Sequence, residues 1–308
     1  KIFENITSRA ALASYHFVGK KDKTAADKAA VDVMRNLLNN LDIQGKIVIG
    51  EGELDEAPML YIGEKVGTGQ GLEIDIAVDP LEGTNFAANN LPGALSVLAV
   101  AEKNNLFHAP ETYMNKIAVG SNIPRDAIDL DNSLKKNIYN LADCKNKDIK
   151  ELTACLLDRP RHKKIIEELN ELKVNLKLIS DGDISGALLV SNEKYGVDIF
   201  MGIGGGPEGV LAASALDAYN CNFQGRFIFE EENDIYRAKK MGIKELDRKY
   251  ELSEIISGDS IFCATGITSG DLVKGIKLID DKYSSETLVT HKNSNTKKVI
   301  KRTENLTS

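Results

Sequence analysis

The chain contains 308 residues, of which 42% are hydrophobic and 28% are charged, values typical of a globular protein with a substantial core. Its net charge of -7 argues against nucleic acid or an anionic membrane surface as the main partner, because both require a basic footprint. No apolar run approaches the ~20 residues that cross a bilayer, and the N-terminus lacks a signal-peptide pattern, so we expect a cytoplasmic protein.

Two amphipathic helices are predicted at the start of the chain, over residues 3–17 and 24–40. In the second helix, Asp27 falls on the apolar row that also contains Val31. A carboxylate on a core-facing row needs a partner, because burying an unpaired charge is costly. That partner is either the nearby Lys23, a backbone amide or a metal ion.

A short apolar strand over residues 46–49 runs directly into a glycine-containing acidic segment. Four acids lie within six residues there: Glu51, Glu53, Asp55 and Glu56. An acidic loop that is only solvated usually lacks an apolar strand immediately before it. The order of strand and acids therefore favours a ligand-binding loop over a solvated one.

The stretch over residues 72–85 predicts a strand that delivers polar groups to a site. Apolar and polar residues alternate over its first half, and Pro80 is expected to end the strand because it has no amide hydrogen to donate. Asp79 then lies at the end of the strand, with Glu82 and Thr84 in the turn that follows. The alternative interpretation is a polar turn that only closes the strand.

After residue 121 strands and helices alternate, which is typical of an open α/β sheet. Three strands are predicted over residues 152–157, 174–179 and 197–203, each followed by a helix. In such a sheet the strand-to-helix junctions lie at one edge, where ligands bind and helix N-termini favour anions. The junctions carry the motifs Asp158-Arg159-Pro160-Arg161, Asp181-Gly182-Asp183 and Gly204-Gly205-Gly206-Pro207-Glu208-Gly209.

The first two junctions suit an anionic sugar. Arg159 and Arg161 offer guanidinium groups that match phosphate, and Asp181 and Asp183 can accept hydrogen bonds from sugar hydroxyls. The alternatives are surface salt bridges for the arginines and helix N-capping for the aspartates. The third junction also fits a dinucleotide fingerprint, but Glu208 would repel a pyrophosphate, so we do not expect NAD binding.

These patterns divide the chain into two lobes of a mixed α/β fold. Residues 1–120 are predicted to form a metal-binding α+β lobe, and residues 121–308 an α/β lobe that binds the sugar phosphate. A hairpin is predicted over residues 287–301, near the end of the chain.

The chemistry of the acids points to hard metal ions. The candidate acids are Asp27, Glu51, Asp55, Asp79, Glu82 and Glu208. All-oxygen ligation favours Mg²⁺ or Mn²⁺ over zinc or copper, and the four cysteines form no Cys-x-x-Cys pair, so we interpret them as reduced thiols. Paired hard cations suit phosphate ester hydrolysis, where they activate a water and neutralise the phosphate and the leaving oxygen.

Several motifs resemble those of a known family. Asp79-Pro80-Leu81-Glu82-Gly83-Thr84 is similar to the signature of the lithium-sensitive, metal-dependent phosphatases. The surrounding motifs resemble the class II, bacterial-type fructose-1,6-bisphosphatases. These motifs are Lys23-Thr24-Ala25-Ala26-Asp27, residues 50–61, Ala109-Pro110-Glu111-Thr112-Tyr113-Met114-Asn115-Lys116, Asp181-Gly182-Asp183 and residues 204–209. The resemblance covers nearly the whole chain.

The resemblance implies a fold and a cofactor. The family fold is a layered α/β/α/β/α sandwich of the sugar phosphatase type, and its members are usually oligomeric, so a homo-oligomer such as a dimer or tetramer is expected. Asp27 and Glu51 would hold one Mn²⁺ or Mg²⁺ ion. Asp79, Glu82 and Glu208 would hold another.

The resemblance also implies roles in catalysis and substrate binding. Thr84, supported by Asp55, would orient and help deprotonate the attacking water, and Lys23 would support the site. Glu82, Gly83 and Thr84 would line the scissile 1-phosphate. The rest of the sugar bisphosphate would be bound by Tyr113, Arg159, Pro160, Arg161, Asp181, Gly182, Asp183 and Gly205.

The expected function is hydrolysis of D-fructose 1,6-bisphosphate to fructose 6-phosphate and phosphate, a step of gluconeogenesis. One alternative is a related phosphatase that acts on sedoheptulose 1,7-bisphosphate or an inositol phosphate. Another is a sensor that binds a sugar phosphate without hydrolysing it. Thr84 and Asp55 are both present, which argues against the sensor.

Overall fold

The protein is described by a computed structural model over residues 1–50 and 60–306. Its α-helices are Ile2–Tyr15 (α1), Lys23–Asn39 (α2), Thr84–Ala88 (α3), Leu134–Lys145 (α4), Lys163–Glu171 (α5), Asp183–Leu188 (α6), Gly206–Ala218 (α7), Glu232–Lys240 (α8) and Leu252–Ile255 (α9). Its strands are Ile43–Ile49 (β1), Lys65–Val66 (β2), Leu72–Glu82 (β3), Leu95–Glu102 (β4), Tyr113–Val119 (β5), Thr153–Leu157 (β6), Asn175–Ile179 (β7), Ile199–Gly205 (β8), Asn222–Ile228 (β9), Lys249–Glu251 (β10), Ser260–Gly266 (β11), Lys277–Ile279 (β12), Lys282–His291 (β13) and Thr296–Asn305 (β14). The elements form two compact units, Lys1–His108 with Ile256–Ser308, and Ala109–Ile255.

The first unit is built on a mixed sheet in the order β12-β13-β11-β4-β3-β1-β2, with β14 paired to β13. β1 and β3 are parallel, and the other pairs are antiparallel. The predicted helices α1 and α2 pack against each other and against the central strands. Their apolar rows bury Ile6 and Met34 against Ile76 and Leu98, so helix pairing and sheet packing share one core.

The course of β3 shows that the prediction for Pro80 is wrong. The strand does not end there but continues to Glu82. Its register with β4 shifts between Asp79 and Glu82, so Pro80 lies in an irregularity of the ladder, where a residue without an amide hydrogen is tolerated. On the other side, β1 pairs with β3 only as far as Ala77, and no hydrogen bond from Pro80 is required.

The second unit is built on a six-stranded sheet in the order β10-β9-β5-β8-β6-β7. Strands β6, β7 and β8 are parallel, so their C-terminal ends lie at one edge of the sheet. Strand β5 is antiparallel to β8 and begins at the same edge, with Tyr113 opposite Gly205. Helices α4 and α5 pack on one face through Leu141 and Leu169, and α6 and α7 pack on the other.

The two units divide the chain differently from the two lobes of the sequence analysis. Strand β11 pairs with β4, and β13 pairs with β11, so the chain after residue 255 completes the first sheet. The predicted hairpin is confirmed as β13 and β14, whereas α4 and β9 were not predicted. Helices together with two mixed sheets confirm the mixed α/β class.

Two predictions from composition can also be compared with the structure. None of the four cysteines, Cys144, Cys155, Cys221 and Cys263, forms a disulfide bond, which agrees with the prediction of reduced thiols. Within residues 1–50 and 60–306, no helix has both the length and the hydrophobicity of a membrane span.

Candidate active site

The turn after β3 holds two of the predicted functional residues. The strand ends at Glu82, Gly83 adopts a left-handed conformation with φ of 77°, and Thr84 is the first residue of α3. Glu82 is buried, with 4% of its surface exposed, whereas Thr84 and Asp79 are half-buried. A buried carboxylate and a partly accessible hydroxyl therefore lie two residues apart.

Helix α2 packs against this turn. Ala26 belongs to the same apolar cluster as Leu81, and the loop before α2 donates backbone hydrogen bonds of 2.9 Å to carbonyl groups of α3. Asp27 follows Ala26 and is half-buried, while Lys23 is exposed at the start of the helix. Asp27 therefore directly follows a residue that packs in the same apolar cluster as Leu81 of this turn.

The predicted metal ligands in the described part of the first unit are all carboxylates. Asp27, Asp79 and Glu82 offer only oxygen donors, which fits a hard divalent cation, and burial of Glu82 adds to the fit because a buried carboxylate needs compensation. In the part of the chain that the structure describes, no group of three or more His, Cys, Asp or Glu is arranged to hold a metal ion. The predicted residues Glu51 and Asp55 lie outside the described residues.

A buried lysine links two of the predicted substrate-binding residues of the second unit. Lys116 on β5 is 1% exposed, and its Nζ donates to the Asp183 carboxylate and, over 2.7 Å, to the Gly205 carbonyl oxygen. Burial raises the pKa of the Glu208 carboxyl, and the positive charge of Lys116 offsets part of that rise. No role was predicted for Lys116, although a lysine directly before the apolar residues 117–119 of a strand signals a buried partner.

The two arginines lie at the predicted edge of the sheet. Arg161 Nε donates to the Ile203 carbonyl oxygen over 2.8 Å, and its guanidinium carbon lies 4.9 Å from the centre of the Tyr113 ring, a cation–π contact. Arg159 Nη2 lies 3.8 Å from a carboxylate oxygen of Asp181. Because Arg161 and Tyr113 are exposed, this cluster is accessible to an anion.

Asp183 does not act as the N-cap of a helix, which was one alternative in the sequence analysis. Gly182 is the N-cap residue of α6, and no side chain caps that helix. Asp183 is instead the first helical residue, and its buried carboxylate accepts the bond from Lys116. Pro160 begins a short 3-10 turn, Pro160–His162, that connects β6 to α5.

The first unit thus presents hard oxygen donors, and the second presents arginines beside a glycine-rich helix N-terminus. Oxygen donors suit divalent cations, and guanidinium groups with helix N-termini suit phosphate. Each of these two sets of groups matches one part of the chemistry of a metal-dependent phosphatase.

Comparison with known proteins identifies the family. Residues 2–304 match the family described as "Bacterial fructose-1,6-bisphosphatase, glpX-encoded". The chain is 44% identical to "Fructose-1,6-bisphosphatase 1 class 2" of Escherichia coli, over 96% of this chain and 91% of the relative. It is 40% and 38% identical to proteins of Thermosynechococcus vestitus and Trichodesmium erythraeum, each named "D-fructose 1,6-bisphosphatase class 2/sedoheptulose 1,7-bisphosphatase", over 96% of this chain and 92% of each relative.

The chain belongs to the family of bacterial class II fructose-1,6-bisphosphatases. It is a phosphoric monoester hydrolase that acts on D-fructose 1,6-bisphosphate, and the family requires a divalent metal ion. The predicted family and reaction are therefore confirmed.

Proposed function

We propose that the residues implied by the resemblance carry out this hydrolysis at the 1-phosphate. The proposed metal ligands are Asp27, Glu51, Asp79, Glu82 and Glu208, and the proposed ions are Mn²⁺ or Mg²⁺. Bound there, the ions would supply water activation and charge neutralisation at the phosphate. The observation that carries the proposal is the packing of α2, with Asp27, against the turn that holds Glu82 and Thr84.

The proposed catalytic group of the chain itself is the Thr84 hydroxyl. A hydroxyl can accept one hydrogen bond and donate another, so it can orient an attacking water while passing a proton to a carboxylate. We assign that carboxylate to Asp55. Glu82, Gly83 and Thr84 would line the scissile phosphate, and Lys23 would support the metal-binding residue Asp27.

The second unit is proposed to bind the rest of the substrate. Arg159 and Arg161 suit the phosphate that is not cleaved, because guanidinium groups offer paired donors in one plane. The remaining proposed binding residues are Tyr113, Pro160, Asp181, Gly182, Asp183 and Gly205. The bond from Lys116 to one oxygen of Asp183 leaves the other oxygen to accept a sugar hydroxyl.

Sedoheptulose 1,7-bisphosphate is proposed as a second substrate. Two of the relatives carry that activity in their names, and the sugar presents the same arrangement of two terminal phosphates on a longer chain. The homo-oligomeric state and the cytoplasmic location stay predictions.

The test compares the purified protein with Thr84→Ser and Thr84→Ala. We expect phosphate release from fructose 1,6-bisphosphate in the presence of Mn²⁺ or Mg²⁺. Thr84→Ser should keep part of the activity because the hydroxyl remains, and Thr84→Ala should lose roughly 10²- to 10⁴-fold in kcat. Equal rates for the two variants would contradict the role of Thr84.

Two controls accompany this test. Asp79→Asn should raise the Mn²⁺ concentration needed for half-maximal activity, which separates a metal ligand from a proton-transfer group. A panel with sedoheptulose 1,7-bisphosphate and an inositol monophosphate, compared by kcat/KM, ranks the substrates. No phosphate release from either bisphosphate with either metal would refute the proposed function.

A further inference from the structure

His162 lies between two strands at the point where their pairing stops. Strands β6 and β8 pair only at Ala154 with Ile199 and at Cys155 with Phe200, although both continue towards the edge of the sheet where the C-terminal ends of the parallel strands lie. Beyond that point the imidazole of His162 bridges them: Nδ1 lies 2.7 Å from the Leu157 carbonyl oxygen, and Nε2 lies 2.8 Å from the Ile203 amide nitrogen. The ring takes the place of the missing backbone hydrogen bonds.

The two partners fix the chemical state of this ring. A carbonyl oxygen can only accept, so Nδ1 carries the proton, and an amide N–H can only donate, so Nε2 carries the lone pair. His162 is therefore neutral and completely buried. Gly202 makes room for it, because a Cβ at residue 202 would lie 2.9 Å from Nε2, and its φ of 130° is rarely adopted by other residues.

The same contact orients a neighbouring arginine. Ile203 donates its amide hydrogen to His162 and accepts a hydrogen bond from Arg161 at its carbonyl oxygen. Two consecutive side chains thus hold one residue of β8 from the turn after β6. Because Arg161 also contacts the Tyr113 ring, a shift of the His162 contact would move the guanidinium away from that ring.

We propose that His162 is a positioning residue that orients Arg161 for recognition of the phosphate that is not hydrolysed. The inference rests on the phosphate-binding role proposed above for the arginine. It adds a residue that contacts neither the substrate nor the reacting atoms and that acts through the hydrogen bond to Ile203.

The experiment replaces one half of the imidazole at a time. In His162→Gln the longer amide can reproduce the acceptor Nε2, whereas in His162→Asn the shorter amide can reproduce only the donor Nδ1. For each variant, kcat and KM are measured with fructose 1,6-bisphosphate and with fructose 1-phosphate, which lacks the second phosphate. The preference, defined as the ratio of the two kcat/KM values, reports recognition of that phosphate.

His162→Asn should lower the preference about tenfold, mainly by raising KM for the bisphosphate. The reason is that a displaced Arg161 weakens one binding interaction with the second phosphate, and the loss of one such interaction typically changes kcat/KM by about a factor of ten. His162→Gln should keep most of the preference. If both variants lower kcat/KM for the two substrates alike, the ring only supports the fold and the inference is overturned. If His162→Asn does not fold, His162→Leu takes its place, because leucine fills a similar volume but cannot accept the hydrogen bond from the Ile203 amide, and it should lower the preference by a similar factor.

Arg161→Met separates this inference from the proposed function. A reduced preference in Arg161→Met, with no further loss in the double variant Arg161→Met/His162→Asn, supports action through the arginine. A reduced preference in Arg161→Met with an unchanged preference in His162→Asn overturns the inference alone. An unchanged preference in Arg161→Met overturns the role of the arginine and the inference with it.

Discussion

At the scale of single residues, the Glu208 carboxylate occupies the space in which a Cβ atom on residue 205 would lie. A Cβ on Gly205 would lie 1.8 Å from Glu208 Oε2, while the φ of -63° at residue 205 suits alanine. We expect Gly205→Ala to fold, because the Glu208 side chain can rotate away, but to lower kcat/KM about 10- to 100-fold because the carboxylate leaves its place. Phosphate release and the thermal unfolding midpoint, measured together, check both halves of this expectation.

Glu208→Gln is the matched comparison for this effect. If the methyl group acts by displacing the carboxylate, then Gly205→Ala/Glu208→Gln should be no less active than Glu208→Gln alone. Additive losses in the double variant would mean that the methyl group disturbs something else, such as the bond from Lys116 to the Gly205 carbonyl oxygen.

Residue types at the sheet edge were predictable, but their partners were not. The strand-to-helix junctions identify Arg161 and Asp183, because junction position is a local property of the sequence. The contact of Lys116 with Asp183 joins residues 67 positions apart, and that of Ile203 with His162 joins residues 41 positions apart. Periodicity carries no information at such separations, so only the folded chain reveals these pairs.

At the scale of elements, α2 depends on its N-terminal cap. Asp22 lies five residues before Asp27, and its Oδ1 accepts a hydrogen bond of 2.9 Å from the Ala25 amide. Replacing the cap with alanine removes a partner from the first turn, so Asp22→Ala should lower the free energy of unfolding by about 1 kcal/mol. Urea titration followed by circular dichroism measures the loss.

Asp22→Ser is the control for the cap. Serine can accept the same hydrogen bond, so its free energy of unfolding should stay close to that of the parent protein. If serine and alanine cost the same, the stability comes from the charge of Asp22 at the helix terminus and the capping bond is not its source.

The elements themselves could be predicted wherever one face is apolar. The rows of α1 and α2 and the parallel strands β6, β7 and β8 follow from local periodicity. Pro80 misled the prediction because its missing amide hydrogen matters only where a neighbouring strand needs it. The register shift between β3 and β4 removes that need, and such a shift depends on the partner strand, which the local sequence does not reveal.

At the scale of the whole molecule, the pairing of strands decides which segments stabilise each other. The chain after residue 255 returns to the first sheet through β11 and β13, whereas the sequence pattern predicted these residues in the second lobe. Alternation of strands and helices along the chain suggests which strands are neighbours, but it does not require a later segment to join the sheet nearest in sequence.

The acid stability of the molecule should depend on Asp198, which is 6% exposed. Its carboxylate lies 2.7 Å from Lys145 Nζ and 2.9 Å from Lys147 Nζ and accepts the Thr153 amide hydrogen over 2.9 Å. Burial alone would raise the pKa of Asp198, but these hydrogen bonds and charges outweigh it and lower the pKa. The carboxylate thus ties the end of α4 to the start of β6.

A pKa that is lowered in the folded state stabilises the protein above the pKa of the unfolded chain, which is about 4 for aspartate. This stabilisation is complete at pH 7 and is lost as the pH falls through the lower pKa of the folded state. Asp198→Asn should therefore cost about 1 to 3 kcal/mol of unfolding free energy at pH 7 and progressively less below pH 4.

Urea titrations of both proteins at pH 7, 5 and 3 measure the difference. Asp126→Asn, which removes the same charge at an exposed aspartate of the same unit, serves as the control. A cost for Asp198→Asn that stays constant from pH 7 to pH 3 would mean that the ion pairs contribute nothing and that packing alone accounts for the loss.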